Sequence, residues 1–292
     1  MTTTAENRTP DAEVIEFTKM HGIGNDYIYI DCMTSVPERL PELAREMSDR
    51  HTGVGGDGIV LICPSEIADL RMRMFNNDGS EARMCGNASR CIARYAHDHH
   101  LTDKNPISLE TLSGIKVLSL NMDGDYVESV TVDMGRPSLA KDEIPVVSSD
   151  ESVIEQVVNT PWGDIRITAI SMGNPHGVIF VEDLDNIPFE QLGPFMERHE
   201  MWPDRANIEF AQILSSRDIR MRVWERGTGE TMACGTGACA TAVAAAVTGR
   251  THRDVTLHLR GGDLHIRWSD DDHVLMTGPA TEVFTGRYPR QS

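Results

Sequence analysis

The 292-residue sequence predicts an α+β fold of two pseudo-symmetric halves, each a set of strands wrapped around a central helix, with the active site in the cleft between them. Three observations support this prediction. Two stretches of sequence read alike at a fixed distance, strand patterns outnumber helix patterns, and each half contains one apolar helix pattern.

The repeat is clearest in residues 75–86 (FNNDGSEARMCG) and residues 224–235 (WERGTGETMACG). The offset is 234 − 85 = 149, about half of the chain. It pairs Cys85 with Cys234, Glu81 with Glu230, Gly86 with Gly235, Asn25 with Asn174, Asn76 with Glu225, and Gly58 with Asn207. A divergent duplication explains the pattern and would place one thiol from each half on opposite sides of a single cleft. Opposed acid and base groups are what the inversion of a carbon centre requires.

Apolar alternation or continuous apolar runs predict the strands, and a 3.6-residue apolar period predicts the helices. In the first half we predict strands at 16–20, 27–31, 59–63, 70–75, 107–109, 115–120 and 127–134, and helices at 40–50 and 86–96. In the second half we predict strands at 163–169, 178–181, 207–214, 219–224, 255–259, 264–268, 273–276 and 283–284, and helices at 189–200 and 238–247. The helix at 238–247 is apolar on every side, which is typical of a buried helix.

An acidic, irregular segment at 137–155 gives the boundary between the halves. We therefore divide the chain into a disordered polar tail (1–14), an N-terminal half with the first cysteine of the repeat (15–136), a C-terminal half with the second (137–277), and a C-terminal segment (278–292).

The composition excludes several classes of function. The net charge of −18 argues against nucleic acid or an anionic membrane as a partner. No run of 18 apolar residues occurs, and the N-terminus lacks an apolar signal region, so we expect a cytoplasmic protein with reduced thiols. The six cysteines form no C-x-x-C and no His-x₃-His pair completes a zinc site with them, so we predict no metal site.

Cys85 and Cys234 each stand just before a glycine and a predicted helix. A helix N-terminus presents unpaired N–H groups and a partial positive charge, which lowers the pKa of a cysteine and also binds a carboxylate. We therefore expect an activated thiol beside a binding site for the carboxylate of an amino acid. Cys91 and Cys239 lie inside the helices without polar context, and we interpret them as small core residues.

Other motifs have simpler interpretations. Residues 53–58 fit G-x-G-x-x-G, but a helix precedes them and a strand follows, which is the reverse of a dinucleotide loop. The histidine cluster at 97–100 is typical of a solvated helix end. Asn25, Asn76, Asn174 and Asn207 are turn residues if taken singly, but matched turns in two halves would face the same cleft.

Six blocks of this sequence together resemble the diaminopimelate epimerase family, over residues from about 17 to about 286. The blocks are FTKMHGIGND at 17–26, NNDGSE at 76–81, CGNASR at 85–90, GNPH at 173–176, ERGTGE at 225–230 and ACGTG at 233–237. A lone C-G-T-G would indicate only the wider fold, which proline racemases share. Asn87 stands where proline racemases place a histidine, and this favours the epimerase.

The resemblance implies a cofactor-independent isomerase, without pyridoxal phosphate, that interconverts LL- and meso-2,6-diaminopimelate for lysine and peptidoglycan precursor synthesis. It implies two similar halves that close on a small amino-acid substrate, with the last strand returning to the N-terminal half. It also implies a homodimer and no metal.

The resemblance further assigns roles to residues. Cys85 and Cys234 would be the acid/base pair, with Cys85 as proton donor and Cys234 as acceptor for the LL substrate. His176 and Glu225 would tune the pKa values of the thiols. The implied substrate contacts are Asn25, Asn76, Gly86, Asn87, Asn174, Asn207, Glu225, Arg226, Gly235 and Thr236.

One position departs from the family. Some members carry glutamine where this chain has Gly58, so a substrate contact is either missing or supplied by the backbone. Three alternatives stay open on sequence grounds: a proline or hydroxyproline epimerase on the same fold, a non-catalytic binder of amino-acid-like ligands, and a redox thiol protein.

Overall fold

The structure is a computed structural model that describes residues 13–290. The predicted tail lies outside the described residues up to position 12, and the first strand begins at Val14. The first part of the described chain contains β1 (Val14–Gly22), β2 (Asn25–Asp31), α1 (Leu40–Ser48), β3 (Gly58–Cys63), β4 (Leu70–Asn76), β5 (Glu81–Ala82), α2 (Gly86–Asp98), β6 (Ile107–Thr111), β7 (Gly114–Asp123) and β8 (Tyr126–Asp133). The second part contains β9 (Gln156–Thr160), β10 (Gly163–Ser171), β11 (Pro175–Phe180), α3 (Phe189–Glu197), β12 (Asn207–Ile213), β13 (Asp218–Glu225), β14 (Gly229–Glu230), α4 (Gly235–Val247), β15 (Asp254–Leu259), β16 (Gly262–Trp268), β17 (Val274–Gly278) and β18 (Thr281–Pro289).

A shift of 149 residues superimposes the element order of the two parts. It carries β1 onto β10, α1 onto α3 and α2 onto α4 with both ends of each element matched. The strand pairings repeat as well: β2 is parallel to β3 as β11 is to β12, and β4 is parallel to β6 as β13 is to β15. The predicted fold class, two pseudo-symmetric α+β halves with one central helix each, is confirmed.

Strand exchange joins the two parts. β17 follows β16 in the second part, yet it also pairs antiparallel with β8, with Met276 opposite Val132. The last strand, β18, pairs antiparallel with β1, with Tyr288 opposite Ile15. On β10 the equivalent edge is covered by β9. The C-terminal end of the chain therefore supplies the hydrogen bonds along one edge of β8 and one edge of β1.

The two central helices share one core. Buried side chains of α2, such as Ile92, belong to the same apolar cluster as those of α4, such as Val243. Separate clusters form around α1 and α3. Most of α4 is alanine, glycine and threonine, which lets surrounding strands pack close to its axis. Because α2 and α4 pack against each other, their N-termini lie next to one another at the boundary of the two parts.

Candidate active site

A cavity of about 580 Å³ lies at the N-termini of α2 and α4. Both parts of the chain contribute to its wall. The predicted site residues that line it are Asn25, Asn76, Cys85, Gly86, Asn87, Asn174, Glu225, Arg226, Cys234, Gly235 and Thr236. A larger cavity of about 790 Å³ lies between β1, β2 and residues 33–37, but neither Cys85 nor Cys234 lines it.

The two cysteines occupy the same position on their helices. Each is the last extended residue before the helix, with φ/ψ of −139°/121° at Cys85 and −121°/111° at Cys234. Their carbonyl oxygens accept the first helical hydrogen bonds, from the amides of Ser89 and Ala238, both at 2.9 Å. The amides of the first helical turns before those residues therefore have no carbonyl partner within the helix and face the thiols. This arrangement gives the cavity two adjacent anion-binding ends.

The expectation that the helix N-termini lower the thiol pKa values is wrong in direction. Burial raises the pKa of Cys85 to about 11, and the Glu225 carboxylate adds to the increase, while the amides of Asn87 and Ala88 oppose it. Burial, Glu225 and Glu209 raise the pKa of Cys234 well above its usual range, against the contacts with Thr236 and Gly237. Desolvation of the thiolate outweighs the helix dipole because the surrounding protein buries both thiol groups.

Asn25 reaches Cys85 from a strained turn. The thiol of Cys85 donates to Oδ1 of Asn25 at 3.4 Å, and Nδ2 of Asn87 donates to the same oxygen at 3.3 Å. The β1–β2 hairpin has two left-handed residues, Ile23 at φ 48° and Gly24 at φ 85°, as a tight two-residue turn requires. A β-branched residue is unfavourable there, and such strain is kept where a side chain must be aimed.

Asn174 belongs to a longer polar chain beside Cys234. Its Nδ2 lies 3.4 Å from Oγ1 of Thr236, and its Oδ1 lies 3.0 Å from Nε2 of His176. The other ring nitrogen of His176 lies 2.7 Å from Oε1 of Glu209. Thr236 Oγ1 is 3.5 Å from the Cys234 sulfur. His176 is fully buried and does not line the cavity, so its connection to the thiol runs through Asn174 and Thr236.

Glu209 is a site residue that the sequence interpretation missed. It is fully buried on β12, and its Oε2 has no hydrogen-bond partner among the described residues. A Cβ added to Gly237 would lie 2.5 Å from Oε1 of Glu209 and 3.3 Å from the Cys234 sulfur, so only a glycine fits between them. A charged residue between the apolar residues Ile208 and Phe210 of the strand was the available signal.

Glu225 and Arg226 form the far wall of the cavity. Glu225 Oε1 accepts a hydrogen bond from the Thr231 hydroxyl at 2.5 Å. Burial raises the pKa of Glu225, against the hydrogen bond from Thr231. Arg226 is exposed at the cavity edge and donates to the carbonyl of Asp204 at 3.2 Å. Its amide donates to Oδ1 of Asn207 at 3.0 Å. Asn207 is buried outside the cavity lining, so it holds the Arg226 backbone in place.

Gly58 fills a position that has no room for a side chain. A Cβ there would lie 2.1 Å from the carbonyl oxygen of Phe75 and 3.0 Å from the Tyr27 ring. The glutamine that some family members carry at this point therefore does not fit the backbone of this chain.

Three further cations line the cavity and were not predicted: Arg83, Lys116 and Arg136. None of them forms an ion pair within residues 13–290. Arg83 donates to the carbonyl of Leu112 at 3.1 Å, and Lys116 donates to the carbonyl of Met134 at 3.4 Å. In a strongly acidic chain, the cavity is therefore lined by cations and by the single carboxylate of Glu225.

The described part of the chain contains no group of three or more side chains placed to hold a metal ion. Over the same residues, no helix is long and apolar enough to cross a membrane. What the cavity offers instead is two thiols at matched helix ends, unpaired amides beside them and carboxylates that raise the thiol pKa values. Such a site can remove a proton from one face of a carbon acid and return one to the other.

Solved structures share this fold at low sequence identity. The chain matches a hydroxyproline epimerase from Agrobacterium vitis with a TM-score of 0.67 and 14% identity, covering 96% of this chain and 92% of that one. It matches a PhzF-family phenazine biosynthesis protein of Bacillus anthracis with a TM-score of 0.68 and 17% identity, covering 94% and 99%. At this identity the likeness shows the fold alone.

Sequence comparison is more specific. Residues 17–140 and 168–283 match the family model described as Diaminopimelate epimerase. The diaminopimelate epimerase of Pelotomaculum thermopropionicum is 52% identical over 277 residues, which cover 94% of this chain and 99% of that protein. Those of Acetivibrio thermocellus and Methanococcus maripaludis strain C6 are 51% and 50% identical over 273 residues, covering 93% of this chain and 98% and 99% of those proteins. The chain therefore belongs to the diaminopimelate epimerase family.

Proposed function

We propose that this chain interconverts LL- and meso-2,6-diaminopimelate by proton transfer between two bases, Cys85 and Cys234, without a cofactor. Membership of an epimerase family supports the class of reaction and the substrate. The observation that carries the mechanism is the matched placement of two thiols, one from each repeat, on the wall of one cavity.

The proposed reaction has two proton transfers. For the LL isomer, the Cys234 thiolate takes the α-proton, so that a C–H bond breaks, an S–H bond forms and the electron pair stays on the substrate. The Cys85 thiol then gives its proton to the opposite face, which forms the new C–H bond and leaves Cys85 as thiolate. In the reverse direction the two cysteines exchange roles.

The carbanion that forms in this step needs stabilisation of its negative charge. In the proposal, the amides of Gly86, Asn87, Gly235 and Thr236 bind the carboxylate of the reacting centre, onto which the charge spreads. Preorganised N–H donors stabilise such an anion more strongly than water does, because they need no reorganisation as the charge develops. Asn25, which touches Cys85, would hold the thiol against the same centre.

Asn76, Asn174, Glu225 and Arg226 form the remaining polar wall and would bind the distal amino-acid head. Arginine suits a carboxylate because its fork can make two parallel hydrogen bonds. Asn207 would contribute by orienting Arg226.

The direction of the thiol pKa shifts fits this chemistry. An α-proton is weakly acidic, and a thiolate with a raised pKa is a stronger base towards it. Burial and Glu225 raise the pKa of both cysteines. We propose that Glu225, together with His176 acting through Asn174, determines which of the two cysteines is the thiol and which is the thiolate. A cytoplasmic location, a homodimer, the division of the chain at residues 137 and 278, and a role in lysine and peptidoglycan precursor synthesis belong to the same proposal.

Proton NMR of the purified protein with LL-diaminopimelate in D₂O, under reducing conditions and without added cofactor, tests the proposal. We expect loss of the α-proton signal and appearance of the meso isomer. The Cys85→Ala variant in the same assay serves as the inactive control. If the folded protein catalyses no exchange with this substrate, the proposed function is wrong, and exchange with proline or 4-hydroxyproline would indicate a cyclic amino acid as the substrate.

A further inference from the structure

Arg90 is a fully buried cation, and no carboxylate in the described part of the chain balances its charge. It lies on α2 with no exposed surface, and within residues 13–290 it forms no ion pair. Its Nε donates to the carbonyl of Pro279 at 3.2 Å, its Nη1 lies 3.7 Å from Sδ of Met276, and its Nη2 has no partner. A charge buried in this way is costly, and an apolar side chain of similar size would cost less. Packing therefore does not account for an arginine here.

The fold leaves a slot for this guanidinium group. A Cβ added to Gly22 of β1 would lie 2.8 Å from Nη2 of Arg90, and a Cβ added to Gly278 of β17 would lie 3.2 Å from Nε. Only a residue without a side chain lets each strand approach so closely. Two glycines on strands from different parts of the chain thus enclose one side chain, which holds its charge at a fixed point of the core.

That fixed point lies beneath the two helix N-termini of the candidate active site. Met276, which contacts Arg90, also lies against the first residue of each helix. Its Cε would be 2.6 Å from a Cβ on Gly86, and its Sδ would be 3.0 Å from a Cβ on Gly235. A single methionine side chain therefore separates the buried charge from the residues that directly follow the two cysteines.

We propose that Arg90 is a positioning residue that supplies a fixed positive charge beneath both helix N-termini and thereby stabilises the anions that form between them. This inference rests on the proposed function, because the anions in question are the thiolates and the carbanion of the two-base reaction. The charge adds to the positive ends of the α2 and α4 dipoles, and it acts in an interior from which water is excluded.

The groups around Arg90 allow this role. The titratable side chains that face it are Cys85 at the N-cap of α2, Cys91 within α2, Tyr29 from β2 and Cys239 from α4. All four are neutral when protonated, and only Cys85 among them lines the cavity. Cys85 in turn faces Glu225, whose charge opposes its ionisation, and the phenol of Tyr27. Among the groups that act most strongly on the pKa of Cys85, Arg90 is the one cation, and it favours the thiolate against the larger, dominant effect of burial.

The test measures the ionisation of Cys85 without any substrate. Iodoacetamide labels the protein at pH 8, and mass spectrometry of the peptides gives the alkylation rate of Cys85. The variants are Arg90→Met and Arg90→Gln, which remove the charge, and Arg90→Lys, which keeps it. Arg94→Met is the matched control: Arg94 lies one turn along the same helix and pairs with Asp98 at 3.0 Å.

We expect Arg90→Met and Arg90→Gln to slow the alkylation of Cys85 about tenfold, the loss that a tenfold smaller thiolate fraction produces. The alkylation rate of Cys85 in Arg90→Lys should remain within about twofold of the rate in the parent protein, and the rate in Arg94→Met should equal the parent rate. The turnover number for epimerisation should fall in the same order. The melting temperature of Arg90→Met should not fall, because an unpaired buried charge has been removed.

Alkylation of Cys85 at the parent rate in either neutral variant would overturn the inference. An alkylation rate in Arg90→Lys as low as that in Arg90→Gln would overturn it as well. Failure of both neutral variants to fold, while Arg90→Lys folds, would assign Arg90 a structural role instead. A parent protein that does not epimerise, but whose Cys85 alkylation still depends on Arg90, would reject the proposed function and leave the electrostatic effect in place.

Discussion

The surroundings of Cys85 and Cys234 differ although the backbones that carry them match. The 149-residue shift that relates α2 to α4 relates His176 to Tyr27 and Glu209 to Val60. Cys234 therefore lies beside a buried histidine–carboxylate pair, whereas the equivalent positions beside Cys85 hold a phenol and an aliphatic side chain. Duplication kept the geometry of the site, and divergence made its two ends chemically different.

The difference has an electrostatic consequence. Burial and Glu225 act on both thiols, but Glu209 acts on Cys234. Both pKa values are raised, and the second carboxylate, Glu209, adds to the increase at Cys234, so we expect Cys85 to ionise first as the pH rises. An enzyme that works in both directions would keep the pKa values of its two bases similar. A residue that makes these pKa values differ favours the proton on one of the two cysteines.

The strongest test of the paired arrangement is removal of either thiol. Cys85→Ala and Cys234→Ala should each lower turnover of LL-diaminopimelate by at least about 10³-fold, since each direction needs both an acid and a base. NMR exchange in D₂O measures the loss, and circular dichroism checks the fold. Cys63→Ala, a buried cysteine on β3, is the control and should stay active. Substantial turnover by either single variant would show that one thiol suffices.

Glu209→Gln should remove the main difference between the two ends. The substitution keeps the shape of the side chain but removes the negative charge beside His176, and we expect turnover to fall about 30-fold. Because a nearby carboxylate disfavours the thiolate, alkylation of Cys234 should become about threefold faster. Glu230→Gln is the control, since Glu230 is held by Arg222 at 2.8 Å. Unchanged or slower alkylation of Cys234 would contradict the role of Glu209.

The ionisation order can be read from the parent protein. At pH 8 iodoacetamide should label Cys85 about tenfold faster than Cys234. Because both pKa values lie above this pH, each thiolate fraction is small and each rate should rise about tenfold per pH unit from pH 7 to 10. Peptide mass spectrometry follows both sites in one sample. A plateau of the Cys85 rate near pH 8 would mean that the helix N-terminus, rather than burial, dominates.

The smallest expected effect concerns Asn207 and its counterpart Gly58. Asn207 holds the Arg226 amide at 3.0 Å and the Pro175 carbonyl at 3.1 Å, whereas Gly58 has no side chain to do so. Asn207→Ala should raise the KM for diaminopimelate about fivefold with a smaller change in turnover, because Arg226 loses its fixed position. Steady-state kinetics measure both. Asn159→Ala, on an exposed strand, is the control, and an unchanged KM would exclude this coupling.

Sequence alone predicted the helices and most strands because apolar periodicity is a local signal, and it predicted the repeat because the 149-residue offset can be read from the sequence without any knowledge of the fold. β9 was missed because its residues alternate weakly, with only Val158 of the strand fully inward. β5 and β14 are two residues each, too short for any period to register. These three strands exist because a neighbouring strand supplies their hydrogen bonds.

The electrostatics of the site were less predictable. Glu209 stands on a predicted strand and Arg90 on a predicted helix, and nothing in the sequence around either one indicates that its charge is buried near the site. The direction of the thiol pKa shifts depends on how much water reaches the cavity, which only the assembled fold determines. Spacing thus predicted that the two cysteines share one cavity, whereas the charged groups around them and the direction of their pKa shifts follow from the assembled fold.

The pairing of β17 with β8 and of β18 with β1 bears on how such a molecule arose. A chain of one half would expose two bare strand edges, each with a row of unsatisfied amides and carbonyls. A half-length ancestor would satisfy them by exchanging strands with a second copy. Gene fusion would turn that exchange into a contact within one molecule, so that assembly of the cleft no longer depends on how many copies the cell holds.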